Sequence, residues 1–352
     1  MITDLVRDNI KKLKPYTCAR DLYSNGILLD ANENSIGPSV DEFEILSLNR
    51  YPDPHQQDLK SLINNNLSIP KENLFFGVGS DENIDLTVRI FCEPRKDKAI
   101  IVEPTYGMYQ VACDINNVET KTACLDENFD IDIDSIAKVY DPSVKLIFLC
   151  SPNNPTGNLL CRKRILDVCK RFDCIVFVDE AYIDFSGPDA SVANDIKEYP
   201  NLIVSRTFSK AWGLAAVRLG YCIADKQIID YYFKIKAPYN VSILTRYAAK
   251  KAFDGIERKD NFVSRLISER QRLTFALKAM SGIEAVYPSD ANYILFKVKN
   301  AKQVQKTLAE NGVVVRDRST QIMLDDCLRV SVGTEKENDE FLEQLSNLLN
   351  KN

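Results

Sequence analysis

Three features of the sequence predict an α/β protein with a second, smaller α+β unit. Between about residues 55 and 255, short apolar runs of strand character alternate with stretches of helical periodicity, the order expected of a mixed, mostly parallel sheet. Several of those runs end abruptly in turn-forming or polar residues, where an open α/β sheet collects its ligand groups. In the last third the pattern becomes strand, helix, strand and a final helix, which fits a compact α+β layer. With 352 residues the chain exceeds the roughly 250–300 at which a single core stops growing. It is therefore divided into a large domain, residues 46–262, and a small domain assembled from residues 1–45 and 263–352.

Taken in order, residues 1–14 carry Leu5, Val6, Ile10 and Leu13 at helical spacing, and Pro15 limits that helix. Residues 27–30 form a short strand that runs into the turn-rich Ala31-Asn32-Glu33-Asn34 and Gly37-Pro38, and residues 50–54 (RYPDP) form a rigid turn. Strands are expected at 74–76, 98–103, 145–150, 174–178, 202–205 and 218–224, with helical spacing over 84–91 and 162–172. Helices follow over 228–235 and 243–253. A long charged helix over 257–280 is assigned an inward face of Phe262, Leu266, Ile267, Leu273 and Phe275. The small domain takes strands at 293–298, 313–316 and 328–332 and a helix at 301–311 that stops at Gly312.

Composition narrows the function. Hydrophobic residues are 45% and charged residues 27%, the balance of a globular chain with a sizeable core. A formal charge of -5 argues against a nucleic-acid surface while leaving room for a local pocket for a phosphorylated metabolite. No apolar stretch approaches the ~18 residues of a membrane span, and the N-terminus lacks the apolar core of a secretory signal. Ten cysteines are scattered, several inside apolar runs, which points to buried free thiols in a reducing cytoplasm. With His55 the sole histidine and no Cys-x-x-Cys, no metal site is expected.

The candidate chemistry gathers at predicted strand ends. In residues 205–220 (SRTFSKAWGLAAVRLG), Lys210 follows a strand and offers an amine able to form an imine with a carbonyl compound, with Ser209 and Arg218 as an anion clamp. A solvated lysine and a surface arginine are the plainer alternative. Gly77-Val78-Gly79-Ser80-Asp81 lies between a strand and a helix, where backbone amides can meet a phosphate. Glu82 replaces the last glycine of a dinucleotide fingerprint, and no P-loop is present, so a simple turn stays open. Tyr106 offers a flat ring at a sheet edge. Asn154, in residues 151–157 (SPNNPTG), offers a side-chain amide, or caps its own turn. Asp179 follows an apolar strand without histidine or a convincing set of partner carboxylates nearby in sequence, which suits a carboxylate facing a heterocyclic cation better than a metal ligand or a general base. Glu180 and Asp184 read as helix-start, loop or surface acids. Asn154, Asp179 and Lys210 are separated by 25 and 31 positions, each just after a predicted strand, so one sheet edge can gather all three. Arg316 and Arg329, beside adjacent strands, are either two anion sites or surface arginines.

The ordered segments LDANENSIGP, RYPDP, GSDENIDL, EPTYGMY, SPNNPTG, VDEAYIDF, TFSKAWGLAAVRLGY and LRVSVGT are spread along nearly the whole chain, from Leu29 to Thr334. In that combination the sequence resembles the fold-type I pyridoxal phosphate aminotransferases of class I/II, and among them the histidinol-phosphate aminotransferase family. The resemblance implies helices on both faces of the large sheet and pyridoxal 5′-phosphate as cofactor. It assigns Lys210 as the covalent amine, Asp179 to the pyridine nitrogen, Asn154 and Tyr182 to the phenolic oxygen O3′, and Tyr106 to stacking on the ring. Gly79, Ser80, Asp81, Ser209 and Arg218 form the phosphate cup, joined by Tyr51 from the partner subunit of a homodimer. For substrate it implies Tyr16 and Arg316 at the phosphate of histidinol phosphate, with Arg20 a weaker candidate. Arg329 is assigned to the α-carboxylate of glutamate, and Asn32, in the segment along the site mouth, and Asn154 to contact with substrate. The implied reaction exchanges the amino group of L-histidinol phosphate with 2-oxoglutarate, in histidine biosynthesis. Ala216 stands where the family pattern has glycine, which bears on the cup geometry. The rivals are an aromatic aminotransferase or a threonine-phosphate decarboxylase on the same fold, and a ligand sensor that has kept the fold.

Overall fold

In the computed structural model, residues 26–30, 32, 34, 36 and 52–350 are described, so the helix expected over residues 1–14 lies outside them. The chain runs β1 (Ile27–Leu28), α1 (Gln57–Leu67), β2 (Leu74–Val78), α2 (Gly79–Phe91), β3 (Lys98–Glu103), α3 (Met108–Ile115), β4 (Glu119–Cys124) and α4 (Ile133–Val139). It continues with β5 (Val144–Cys150), α5 (Arg162–Arg171), β6 (Ile175–Asp179), β7 (Leu202–Thr207), β8 (Leu219–Ala224), α6 (Lys226–Ile235), α7 (Ile243–Asp254) and α8 (Ile256–Ala279). The last elements are β9 (Ile283–Val286), β10 (Tyr293–Val298), α9 (Ala301–Glu310), β11 (Val313–Val314), β12 (Arg316–Asp317), β13 (Cys327–Ser331) and α10 (Glu335–Leu349).

Strand side chains alternate between the two faces of a sheet, and here both faces are apolar. Phe76, Ile100, Ile147, Val176 and Val204 point into one core, covered by Leu59 and Ile63 of α1, Val168 of α5 and Ala249 of α7. Their neighbours Phe75, Ile101, Phe148, Phe177 and Ile203 point into the other, covered by Ile84 of α2, Tyr109 of α3 and Tyr232 of α6. The result is a seven-stranded sheet of order β2-β8-β7-β6-β5-β3-β4 with helices on both faces. It is parallel from β7 through β4, whereas β8 runs antiparallel to both β7 and β2.

That topology places chain ends. Cys150 pairs with Asp179 and Asp179 with Ser205, so β5 and β6 finish level and β7 runs on to Thr207 at the same edge. Thr207 is opposite Gly220, and Val78 opposite Leu219, so β2 ends and β8 begins at the same edge. Segments after β2, β5, β6 and β7 therefore emerge together.

The later residues build a four-stranded antiparallel sheet, β12-β13-β10-β9, and a parallel pair, β1-β11. Its core joins Ile294, Phe296 and Val330 to Leu273 and Leu277 of α8, Leu308 of α9 and Phe341 of α10. A reciprocal capping box between Thr334 and Glu337 starts α10. No described helix is long and apolar enough to cross a membrane.

Two expectations are corrected. The strand read over 313–316 is divided between β11 and β12, which belong to different sheets. On α8 the buried stripe is Val263, Leu266, Leu273 and Leu277. Phe275 is 78% exposed, because it follows Leu273 by two residues, about 200° around the helix. Phe262, at the stripe's margin, is half-buried beneath the Arg258 guanidinium, 5.4 Å from its ring centre.

Gly220 on β8 lies against the start of α2. A Cβ there would be 2.5 Å from the Ser80 nitrogen and 2.6 Å from the Gly79 carbonyl carbon. Both are backbone atoms, so relief requires moving β8 away from α2. Gly220→Ala is expected to destabilise the protein by ~1–3 kcal/mol, read as a lower urea midpoint; an unchanged midpoint would contradict this packing.

Candidate active site

The shared sheet edge opens into a cavity of about 460 Å³. Of the sequence candidates, Asn32, Ser80, Asp81, Tyr106, Asn154, Asp179, Tyr182, Ser209, Lys210, Arg218, Arg316 and Arg329 line it. Gly79 supplies backbone beside Ser80. Tyr16, Arg20 and Tyr51 lie outside the described residues.

Asp179 closes β6 and is 2% exposed. Its Oδ2 accepts a hydrogen bond from the Tyr109 hydroxyl at 3.0 Å, and its Oδ1 one from the Ala181 amide at 3.0 Å. Burial pushes its pKa up to about 6, an effect opposed by these two donors and by the charge of Lys210, and reinforced by Asp81. Lys210 is half-buried, with Nζ 5.6 Å from the centre of the Tyr182 ring. Its loop is fixed by apolar packing: Phe208 stacks near Trp212 (5.2 Å), and Trp212 near Phe253 of α7 (4.6 Å).

An anion-binding end forms where α2 begins. Gly79 has φ +74°, and a Cβ on it would lie 2.4 Å from Arg218 Nη2. The left-handed conformation favours glycine here, while the close atom is the movable end of the Arg218 side chain. Arg218, itself left-handed at φ 54°, donates to Ser209 Oγ at 3.4 Å and to Asp81 Oδ2 at 3.1 Å. The helix N-terminus, the guanidinium and the hydroxyls of Ser80 and Ser209 suit a phosphate. Asp81 moderates the positive charge and accepts from the Tyr106 hydroxyl at 3.3 Å. Ala216 is exposed within a short turn, Ala215–Val217, and its φ is not left-handed, so its methyl group is accommodated without strain.

On the other side, the Tyr182 hydroxyl accepts from Asn32 Nδ2 at 3.1 Å and from Asn154 Nδ2 at 3.4 Å. Burial raises its pKa to about 12, against the pull of Arg329 and Asn32, so it keeps its proton as a donor. Arg329, 3% exposed, donates from Nη1 to Asn154 Oδ1 at 2.5 Å and from Nη2 to the Asp30 carbonyl at 2.8 Å. Asn32 is itself fixed by Ser331 and Asn292. Arg316 pairs in register with Arg329.

The sequence reading missed three residues. Arg318 also lines the cavity; its signal was the two-residue spacing from Arg316, which returns a strand to the same face. Tyr109, three residues after Tyr106, carried only a family segment as its signal. Glu180, read as a loop or surface acid, is buried and accepts from Arg206 Nε at 2.9 Å, from the Val192 amide at 2.7 Å and from Ser191. It ties the chain after β6 to β7, since a buried carboxylate requires such partners. Asp184 lies 3.6 Å from Lys259 Nζ.

Pyridoxal 5′-phosphate fits this donor set. The cup around Gly79 has the donors to suit a phosphate, the buried Asp179 carboxylate would match a ring nitrogen, the Tyr182 and Asn154 donors a phenolic oxygen, and Lys210 would offer the amine for an aldehyde.

The profile described as aminotransferase class I and II matches residues 24–345. The chain belongs to the class I and II aminotransferase family. Within it, the chain is similar to histidinol-phosphate aminotransferases. That of Cytophaga hutchinsonii is 44% identical over 346 residues, covering 98% of each chain, and that of Bacteroides thetaiotaomicron 44% over 347 residues, again 98% of each. The crystal structure of histidinol-phosphate aminotransferase from Sinorhizobium meliloti in complex with pyridoxal-5'-phosphate is 23% identical, with a TM-score of 0.89 over 98% of both chains. The architecture is that of fold-type I.

The folded-state value of Asp179, about 6, lies above the ordinary 3.8. Its protonated form stabilises the fold at low pH, and that contribution is lost as pH rises through about 6. Cofactor-free Asp179→Asn, which cannot ionise, is therefore expected to melt above cofactor-free wild type at pH 7. The gap should narrow towards pH 5 and close only below the ordinary 3.8. Thermal melts across that range check the sign.

Proposed function

We propose that this chain transfers the amino group of L-histidinol phosphate to 2-oxoglutarate with pyridoxal 5′-phosphate as cofactor, giving 3-(imidazol-4-yl)-2-oxopropyl phosphate and L-glutamate in histidine biosynthesis. The observation that carries this reading is the convergence of Lys210 and Asp179 between an anion cup on one side and Arg316, Arg318 and Arg329 on the other.

When bound, the cofactor supplies an aldehyde to take up the amino group and a ring to delocalise the electrons left by α-proton removal. Lys210 would hold it covalently; its Nζ, once freed, would take the proton from the substrate α-carbon and deliver it to the carbon supplied by the cofactor aldehyde, so that the amino group changes hands. Asp179 holds positive charge at the ring nitrogen. Tyr182 and Asn154 donate to the phenolic oxygen, and Tyr106 lies against the ring. Gly79, Ser80, Asp81, Ser209 and Arg218 hold the phosphate, with Tyr51 contributed by the partner subunit of a homodimer.

Two anionic substrates must use one pocket in turn. Arg329 receives the α-carboxylate of glutamate, where a planar fork of donors matches both oxygens. Arg316 and Tyr16 receive the phosphate of histidinol phosphate, and Asn32 lies beside the substrate. The small domain, residues 1–45 and 263–352, brings Arg316 and Arg329 to the large domain, residues 46–262. The acidic balance and scattered thiols support a cytoplasmic setting.

Lys210→Ala is expected to abolish the visible absorbance of lysine-bound cofactor and nearly all turnover. Wild-type turnover in that variant would sink the mechanism. Half-reactions with L-histidinol phosphate and L-phenylalanine separate the proposed substrate from an aromatic one.

Arg316→Gln should lower kcat/KM in the histidinol phosphate half-reaction by roughly 10–100-fold, the loss of one charge-assisted contact. The glutamate half-reaction should change by only a few fold. Equal losses in both would refute the assignment of Arg316 to the phosphate.

A further inference from the structure

Behind Asp179 stands a side chain to which the mechanism above gives no part. Tyr109, in the first turn of α3, is wholly buried. Its ring stacks on Phe148 of β5 at 4.7 Å with 5° between planes, and meets Tyr106 edge-on at 5.7 Å. These contacts fix where its hydroxyl points, 3.0 Å from Asp179 Oδ2.

We propose that Tyr109 is a positioning residue for the cofactor nitrogen: its hydroxyl, donated to Oδ2, keeps Asp179 anionic and aims it at the ring. The inference rests on the reading of the cavity as a pyridoxal phosphate site. Its physical basis is a contest over one proton. Burial and the negative charge of Asp81 favour a neutral carboxyl. The Tyr109 hydroxyl, the Ala181 amide and the charge of Lys210 favour the anion.

The remaining titratable neighbours do not supply that donor. Cys150 of β5 and Cys222 of β8 are buried thiols with raised pKa values, and Tyr182 accepts rather than donates within the observed network. Tyr109 is itself raised well above its ordinary value by burial, so the shared proton belongs to the tyrosine and the charge to the aspartate. Without that donor the carboxyl and the ring nitrogen can share one proton as a neutral pair, which makes the ring a weaker electron sink.

The test uses the holoenzyme and Tyr109→Phe, which removes one oxygen and keeps the stack on Phe148. A less cationic ring withdraws fewer electrons from the lysine nitrogen, so the pH midpoint of the visible band should move up by about one unit. The value of kcat should fall about tenfold or more with KM changed less. An unmoved midpoint would overturn the proposal, even if the variant were less stable, because a merely structural tyrosine predicts that result.

If the Phe variant does not fold, 3-fluorotyrosine in place of Tyr109 supplies a more acidic donor and should move the midpoint down; no movement again overturns the proposal. Should wild type show no visible band with pyridoxal phosphate, the site reading fails and this inference with it. If Lys210→Ala abolishes the band while Tyr109→Phe leaves its midpoint unchanged, only this inference fails.

Discussion

The strand register at the centre of the large sheet is the constraint on which the site depends. Cys150, Asp179 and Ser205 stand side by side across β5, β6 and β7. A slip of one residue in any of these strands would reverse its side chains between the two apolar faces, at the cost of several buried groups. The same hydrophobic pattern that holds the sheet together therefore fixes where Asn154, the Asp179 carboxylate and Lys210 leave it. Antiparallel β8 adds the return strand that places Arg218 across from Gly79.

Electrostatics completes what register begins. A carboxylate as buried as Asp179 is costly unless donors surround it. Here a hydroxyl, an amide and a nearby lysine meet that requirement. Glu180 solves the same problem differently, with Arg206, the Ser191 hydroxyl and the Val192 amide. Adjacent acids thus take unlike environments: one faces the cavity, and the other fastens the loop that follows.

Much of this was legible in the sequence because strand ends are marked by composition. Apolar runs ending in Asn, Asp or Lys gave the positions of β5, β6 and β7 and their terminal groups, and ordered family segments gave the expected roles. Strand β4 escaped notice because Glu119-Thr120-Lys121-Thr122 lacks an apolar run; at the sheet edge it needs none. Phe275 was turned inward by counting hydrophobics instead of tracking the angle around α8. The Asp179 partner of Tyr109 and the Arg206 partner of Glu180 lie 70 and 26 positions away, and Arg318 shares its cavity with residues as distant as Asp30, which local pattern does not encode. Gly79 and Gly220 were legible as permissive residues, but their close approach to Arg218 and Ser80 was visible only in three dimensions.

The aromatic packing beneath Lys210 limits how that residue can act. Phe208 and Trp212 bracket it in sequence and pack against Phe253 of α7, so moving the main chain here would mean breaking that packing. The travel of the ammonium group is confined to rotations about its own four methylenes. Its reach during a catalytic cycle is a swing from a fixed pivot, and the rest of the barrel of motion must come from whatever enters the cavity.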